Sequence, residues 1–261
     1  MKETANKPIL EVKDLVKQYH DEMAAGQGAI LDHLNLSIEP GEFVCILGPS
    51  GCGKSTFLRC VAGFEDFKGD ILLEGKKVKT PGSDRIMVFQ DFAQLFPWKT
   101  VEKNIQYPLR QTGIRDRQEL ARLSQEYLAK VELADYGKYY PHMLSGGMKQ
   151  RVAIARALAM KPKLILMDEP LASLDAMTRN NLQAEIRNIH EKEKMTVIFI
   201  THNIQEAICL GTRIVVMTNQ GQIRTDIKNP IPRPATPNSP GYGEMWEKLH
   251  DDLYAARTEE K

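Results

Sequence analysis

Nine consecutive residues, Gly48-Pro49-Ser50-Gly51-Cys52-Gly53-Lys54-Ser55-Thr56, constrain this chain more than any other segment. They follow the apolar run Phe43-Val44-Cys45-Ile46-Leu47 and precede Phe57-Leu58-Arg59-Cys60-Val61-Ala62, a strand and then a helix by composition. Glycines at a strand-to-helix turn let backbone N–H groups close around phosphate oxygens in front of a helix N-terminus. Lys54 is then placed to neutralise β- and γ-phosphate charge, and the Ser55 hydroxyl to ligate Mg²⁺. The pattern G-x-x-x-x-G-K-[ST] in that setting points to an α/β core built around a phosphate loop. Cys52 lies inside this loop, beside Lys54 and at the positive end of the following helix, so it is expected to be the reactive thiol of the chain.

A second apolar strand, Leu164-Ile165-Leu166-Met167, ends in Asp168-Glu169-Pro170. An Asp ending a buried strand at a phosphate site orients Mg²⁺ or its waters, and Glu169 follows where it can polarise an attacking water as general base. Upstream, Leu144-Ser145-Gly146-Gly147-Met148-Lys149-Gln150-Arg151 opens a helix with Ser145 as its natural N-cap, a second anion-binding terminus.

Periodicity arranges these motifs. Residues 9 to 90 alternate short β-branched runs with turns and read as a mixed sheet. From about 92 to 160 the period becomes helical; Leu120, Leu123, Tyr127, Leu128 and Val131 share one stripe, so an inserted helical subdomain is expected. Strands return at 163–167, 196–200 and 213–217 with a helix between, the alternation of a parallel α/β sheet. Five of the 14 prolines fall between Pro230 and Pro240, so a C-terminal extension from about 229 to 261 is expected to run extended before a short helix near Tyr242 to Ala256.

Composition removes several classes. Lys+Arg 35 against Asp+Glu 34 leaves a net charge of +1 with no block of five like charges, which gives no electrostatic case for nucleic acid. No apolar run reaches transmembrane length, and the opening MKETANKPILEVKD scatters charges where a secretory signal needs an apolar core. Cys45, Cys52, Cys60 and Cys209 form no C-x-x-C pair, so neither zinc nor a disulfide framework is expected.

GPSGCGKST, LSGGMKQR, LILMDEP, Ser173-Leu174-Asp175 and Ile200-Thr201-His202, in that order, resemble the ATP-binding subunits of ABC transporters over essentially the whole chain. The resemblance implies one ABC ATPase domain over 1–261, a P-loop NTPase core of a mixed sheet plus a parallel sheet with flanking helices, and an inserted helical subdomain. It implies that two copies pack head to tail, the phosphate loop of one and Ser145, Gly146 and Gly147 of the other enclosing one ATP with Mg²⁺. Gln90 in MVFQD matches the glutamine that senses Mg²⁺ and the γ-phosphate, Asp175 the loop linking the two sites, His202 the histidine contacting the γ-phosphate, and Tyr19 the aromatic stacking on adenine. With Asp168 and Ser55 toward the metal, and Glu169, His202, Lys54 and Gln90 toward the reaction, this completes the expected site.

The chain departs from the family pattern in two places: Asn203 follows His202 where Asp is usual, and LASLD replaces the common alanine- or glycine-bearing version before Leu-Asp. A narrower resemblance rests on Leu95-Phe96-Pro97-Trp98-Lys99-Thr100-Val101-Glu102-Lys103-Asn104-Ile105 after Gln90, on LSGGM in place of the commoner LSGGQ, and on Ile231-Pro232-Arg233-Pro234. These look like the nitrate, sulfonate and taurine importer ATPases. This implies a peripheral subunit on the cytoplasmic membrane face, working with permease subunits and indirectly with a substrate-binding protein. Phe96 and Trp98 are then exposed anchors for the permease, or else Trp98 packs within the helical subdomain. The rival reading is an ABC-type ATPase of a nucleic-acid or regulatory system, which would need a coiled-coil insertion, a second cassette or a basic surface.

Overall fold

The computed structural model describes residues 7–19, 29–90 and 94–258. The expected subdomain boundary near residue 92 and parts of both chain ends lie outside the described residues. In chain order the elements begin with β1 (Leu10–Lys17), β2 (Leu31–Ile38), β3 (Phe43–Leu47), α1 (Lys54–Ala62), β4 (Lys68–Leu73) and β5 (Lys76–Lys77). There follow β6 (Arg85–Val88), α2 (Val101–Gln111), α3 (Arg117–Lys130), α4 (Gly146–Leu158), β7 (Leu164–Asp168) and α5 (Ala176–Glu193). The last are β8 (Thr196–Ile200), α6 (Ile204–Leu210), β9 (Arg213–Met217), β10 (Ile223–Lys228) and α7 (Tyr242–Thr258). Two compact units result: Met1–Gly82 with Met195–Lys261, and Ser83–Lys194.

In the first unit one antiparallel sheet has the order β2-β1-β4-β5, and β10, β9, β3 and β8 lie side by side in another. β3 pairs in parallel with β8 and with β9, and β10 closes on β9 antiparallel. Phe43-Val44-Cys45-Ile46-Leu47 and Thr196-Val197-Ile198-Phe199-Ile200 are buried at every position, as strands covered on both faces must be. Phe43 and Phe199 meet there with ring centroids 5.7 Å apart.

β1 does not alternate cleanly. Leu10 and Val12 are buried, then Leu15 and Lys17, because a bulge at Asp14 (φ 52°) inserts one residue against both neighbouring strands and flips the parity of everything after it. Gly69 makes room on β4: a Cβ there would lie 2.2 Å from the Asp14 carbonyl oxygen.

In the second unit β6 and β7 pair in parallel, and α2, α3 and α4 are mutually packed. Of the stripe read from the sequence, Leu120, Tyr127, Leu128 and Val131 are buried and Leu123 is half-buried. The compact unit is wider than the expected helical insertion, because the β6–β7 pair and α5 join the three helices. Side-chain caps start α2 and α3: Thr100 accepts from the Lys103 amide and Asp116 from the Glu119 amide.

The proline segment is fastened to the first unit. Asn229 Nδ2 donates to the Ile208 and Gly211 carbonyls, each at 2.8 Å, and the Cys209 thiol donates to the Ala235 carbonyl at 3.3 Å. α7 then buries Tyr242, Leu249, Leu253 and Ala256.

Candidate functional site

In the first unit the phosphate loop leaves β3 after Leu47 and enters α1 at Lys54. Gly53, the residue before the helix, has φ 97°, and a Cβ there would lie 2.8 Å from the Ile30 carbonyl, so glycine is required on both counts. Lys54 is 6% exposed, and its Nζ donates to the Gly48 and Pro49 carbonyls, each at 2.8 Å. An ammonium held inside the loop on two neutral acceptors has stronger partners in phosphate oxygens, since charge-assisted hydrogen bonds are roughly twice as strong as neutral ones. Ser50 and Gly51 are exposed at the tip, and Ser55 and Thr56 are half-buried in the first turn of α1.

The expected reactivity of Cys52 is overturned. The side chain is 1% exposed and lies under Gly48, where a Cβ would meet its Sγ at 2.7 Å. Burial pushes the thiol up despite Lys54 Nζ at 3.8 Å, because removing a thiolate from water outweighs one nearby charge that already has two carbonyl partners.

His202 stands at the same sheet edge as the loop. Ile46 and Ile200 are partners in the parallel register, the Thr201 amide donates to the Ile46 carbonyl at 3.2 Å, and Gly48 and His202 each follow two residues beyond that pair. Asn203 loses nothing as a cap: its Oδ1 accepts from the Gln205 and Glu206 amides at 2.9 and 3.3 Å, which starts α6. Tyr19, beyond the end of β1, is 44% exposed, with Lys17 Nζ 4.7 Å from its ring centroid.

In the second unit the same geometry recurs. Val88 and Met167 are register partners of β6 and β7, and Gln90 and Glu169 each follow two residues beyond them, past the carboxyl ends of parallel strands where α/β sheets bind ligands. Asp168 and Glu169 are half-buried and Gln90 is exposed. Glu169 takes φ 44°, an uncommon conformation for a non-glycine residue, and its carbonyl accepts from the Ala172 amide at 3.2 Å, so the chain turns sharply straight after the strand.

Ser145 caps α4, its Oγ accepting from the Met148 amide at 3.3 Å, and Asp175 caps α5, its Oδ1 accepting from the Thr178 amide at 3.0 Å. The two helix starts touch: a Cβ on Gly147 would lie 2.4 Å from Thr178 Cγ2. One turn further along α4, Arg151 pairs with Glu185 of α5. The Thr178 amide bond holds the Asp175 carboxyl below the usual carboxylate range, whereas burial pushes Glu185 up to about 7.

Trp98 is 71% exposed, which removes the reading in which it packs into the helices. Phe96 is half-buried at the centre of a cluster, 5.6 Å from the Trp98 ring, 4.9 Å edge-on to Tyr107 and 4.6 Å from the Arg156 guanidinium. Beside it lies a groove of about 360 Å³ lined by Phe89, Tyr107, Pro108, Arg156 and Met160. Nothing in the sequence marks Arg156, because the guanidinium donates to the Gln94 carbonyl and so joins segments far apart in the chain.

Among the described residues no three His, Cys, Asp or Glu side chains gather into a metal-holding cluster. Ser55 lies in the first unit and Gln90 and Asp168 in the second, and each carries a hard oxygen of the kind Mg²⁺ takes beside phosphates and water.

A phosphate loop between a buried parallel strand and a helix, with carboxylates closing a second parallel strand, defines a P-loop nucleoside triphosphatase. The chain belongs to the ABC transporter family, whose model matches residues 31–172. It is 43% identical over 226 residues to an aliphatic sulfonates import ATP-binding protein, SsuB, of Bacillus cereus, spanning 86% of this chain and 88% of that protein. The taurine import ATP-binding protein TauB of Sinorhizobium fredii is 42% identical over 230 residues, spanning 86% and 85%. Among solved structures, the dimeric post-hydrolysis state of the ATP-binding cassette MJ0796 bound to ADP and Pi is similar with a TM-score of 0.74 at 33% identity, covering 84% of this chain and 98% of that one.

Proposed function

We propose that this chain, read as one ABC ATPase domain, is the ATP-hydrolysing subunit of an importer. Two copies pair head to tail around two ATP molecules, and their closing and opening drives solute uptake through separate permease subunits fed by a substrate-binding protein. The named relatives support import, the dimeric cassette supports pairing, and no helix among the described residues is long and apolar enough to cross a membrane. A peripheral place on the cytoplasmic face of the membrane follows from this reading. Trp98 and the groove beside Phe96 are the surface it offers a permease helix, an exposed aromatic next to a concave apolar wall. The balanced charge of +1 offers nothing to a nucleic-acid machine.

The observation that supports the reading is that one chain carries two helix starts of the kind suited to anions, the phosphate loop before α1 and the Ser145-capped start of α4. In this reading Lys54 leaves the Gly48 and Pro49 carbonyls for the β- and γ-phosphate oxygens. Tyr19 stacks on adenine. Ser55, Gln90 and Asp168 would hold Mg²⁺, which supplies charge neutralisation at the phosphates. Glu169 accepts a proton from water as its oxygen bonds to the γ-phosphorus, and the bond to the β–γ bridging oxygen breaks with its electron pair on ADP. Gln90 and His202 contact the γ-phosphate, Gly146 and Gly147 of the second copy donate backbone N–H groups to it, and Asp175 links the two sites.

Mixing two inactive variants tests the sharing. Lys54→Ala and Ser145→Arg chains are each expected to be inactive, whereas their heterodimer holds one intact site beside one doubly damaged site and recovers ATPase activity. Heterodimers that form yet stay inactive, in a pair that tolerates one broken site, would remove the shared-site reading.

A further inference from the structure

The bulge at Asp14 turns Lys17 inward, where strand parity without it would leave the side chain on the open face. Lys17 is 8% exposed, and a buried ammonium needs partners. It has three: the Glu65 carboxylate at 3.0 Å, the Asp66 carbonyl at 2.7 Å, and the face of the Tyr19 ring, whose centroid is 4.7 Å from Nζ. Glu65 in turn is held below the usual carboxylate range, chiefly by its hydrogen bond from Lys17. Lys17 therefore bridges the Tyr19 ring and the Glu65 carboxylate.

Glu65 and Asp66 follow directly on α1, whose C-cap is Gly63 and whose first residue is Lys54. Lys17 thus ties the Tyr19 ring to the far end of the helix that opens at the phosphate loop. With the Lys17 ammonium against one face, the ring is restrained while 44% of the residue stays open to solvent.

We propose that Lys17 and Glu65 are positioning residues for the nucleotide base: they lock the Tyr19 ring against the end of α1, so that the stacking platform stands at a set distance from the phosphate loop. The inference rests on the reading of Tyr19 as the adenine platform. Fixing the ring in advance removes the ordering cost from binding, and the benefit falls on the base and not on the phosphates.

The test compares binding of ADP and of inorganic pyrophosphate to the full chain by calorimetry, since only ADP can use the platform. Tyr19→Ala is expected to reduce the preference for ADP over pyrophosphate by about tenfold or more, the scale of base–aromatic stacking. Lys17→Gln and Glu65→Ala are expected to reduce it in the same direction with pyrophosphate affinity retained, and Lys17→Arg to restore it, because a guanidinium also pairs with a carboxylate and stacks on a ring. If Tyr19→Ala loses the preference while Lys17→Gln and Glu65→Ala keep it, the positioning role is wrong and the adenine reading stands. If Tyr19→Ala keeps the preference, the adenine reading falls and the inference with it. Equal weakening of ADP and pyrophosphate in a folded Lys17→Gln or Glu65→Ala chain would show general loosening of the unit and overturn the proposal. Should Lys17→Gln not fold, Glu65→Ala decides between these outcomes.

Discussion

Gly147 and Thr178 stand closer than a side chain at position 147 would allow: a Cβ on Gly147 would lie 2.4 Å from the Thr178 Cγ2. The contact joins the start of α4, capped by Ser145, to the start of α5, capped by Asp175, so both helix ends sit as one piece. Threonine is β-branched and stiff at χ1, so the methyl does not yield freely. Gly147→Ala is expected to destabilise the fold by about 1–3 kcal/mol through overpacking and to lower ATPase activity. Adding Thr178→Ala should recover most of the melting temperature, a coupling that a thermal double-mutant cycle measures directly. Additive losses would show that the two residues do not press on one another.

Cys52 sits in the loop assigned to the phosphates and is expected to resist alkylation. Its Sγ lies under Gly48, and burial raises the thiol above its ordinary value. Cys60, in α1, is pushed up to about 12 by the same cause, and all four cysteines are buried. Peptide mapping after maleimide treatment of the native protein should show little label at any of the four, with full labelling after denaturation. Rapid native labelling at Cys52, blocked by Mg-ATP, would contradict the placement.

What the sequence conveys and what it withholds divides by distance along the chain. The phosphate loop, Asp168-Glu169 and the Ser145 cap are contiguous stretches in which spacing alone fixes the chemistry, so they are legible. The placing of Gly48 and His202, and of Gln90 and Glu169, at matched offsets beyond paired strands depends on strand register, and the buried strands carry no alternation from which register could be read. Lys17 is invisible for a sharper reason. One extra residue at Asp14 reverses the inside and outside of the strand after it, and LEVKDLVK contains nothing that marks a bulge. The loop thiol is misread from sequence because helix-end electrostatics are visible there, whereas the burial of the side chain beneath the loop is not.

The Asp175 cap gives the protein an acid-sensitive joint. Its carboxyl is held below the usual range by the Thr178 amide, so its stabilising contribution is complete above the unfolded value of about 3.9 and is lost as pH falls through the folded value. At pH 7 the Asp175→Ala chain should melt below wild type, since α5 loses its N-cap. The gap should begin to narrow below about 4 and close as the pH falls through the lower folded value, where the wild-type cap is protonated too. Melting curves from neutral pH down through the carboxylate range measure this, and a gap that stays constant throughout would show that the ionised cap contributes nothing.

Glu169 follows β7 at the turn where the reaction is proposed to occur, and its substitution is expected to separate ATP binding from ATP cleavage. Glu169→Gln keeps the shape and the hydrogen-bonding capacity of the side chain and removes the base. The variant is expected to bind Mg-ATP, to hydrolyse it at least about 100-fold more slowly, and to accumulate as a dimer. Light scattering of the purified variant with and without Mg-ATP is the decisive measurement. A mass that doubles on adding Mg-ATP, with turnover nearly abolished, is the expected result; a variant that stays monomeric with ATP bound, or that turns over at the wild-type rate, would contradict it.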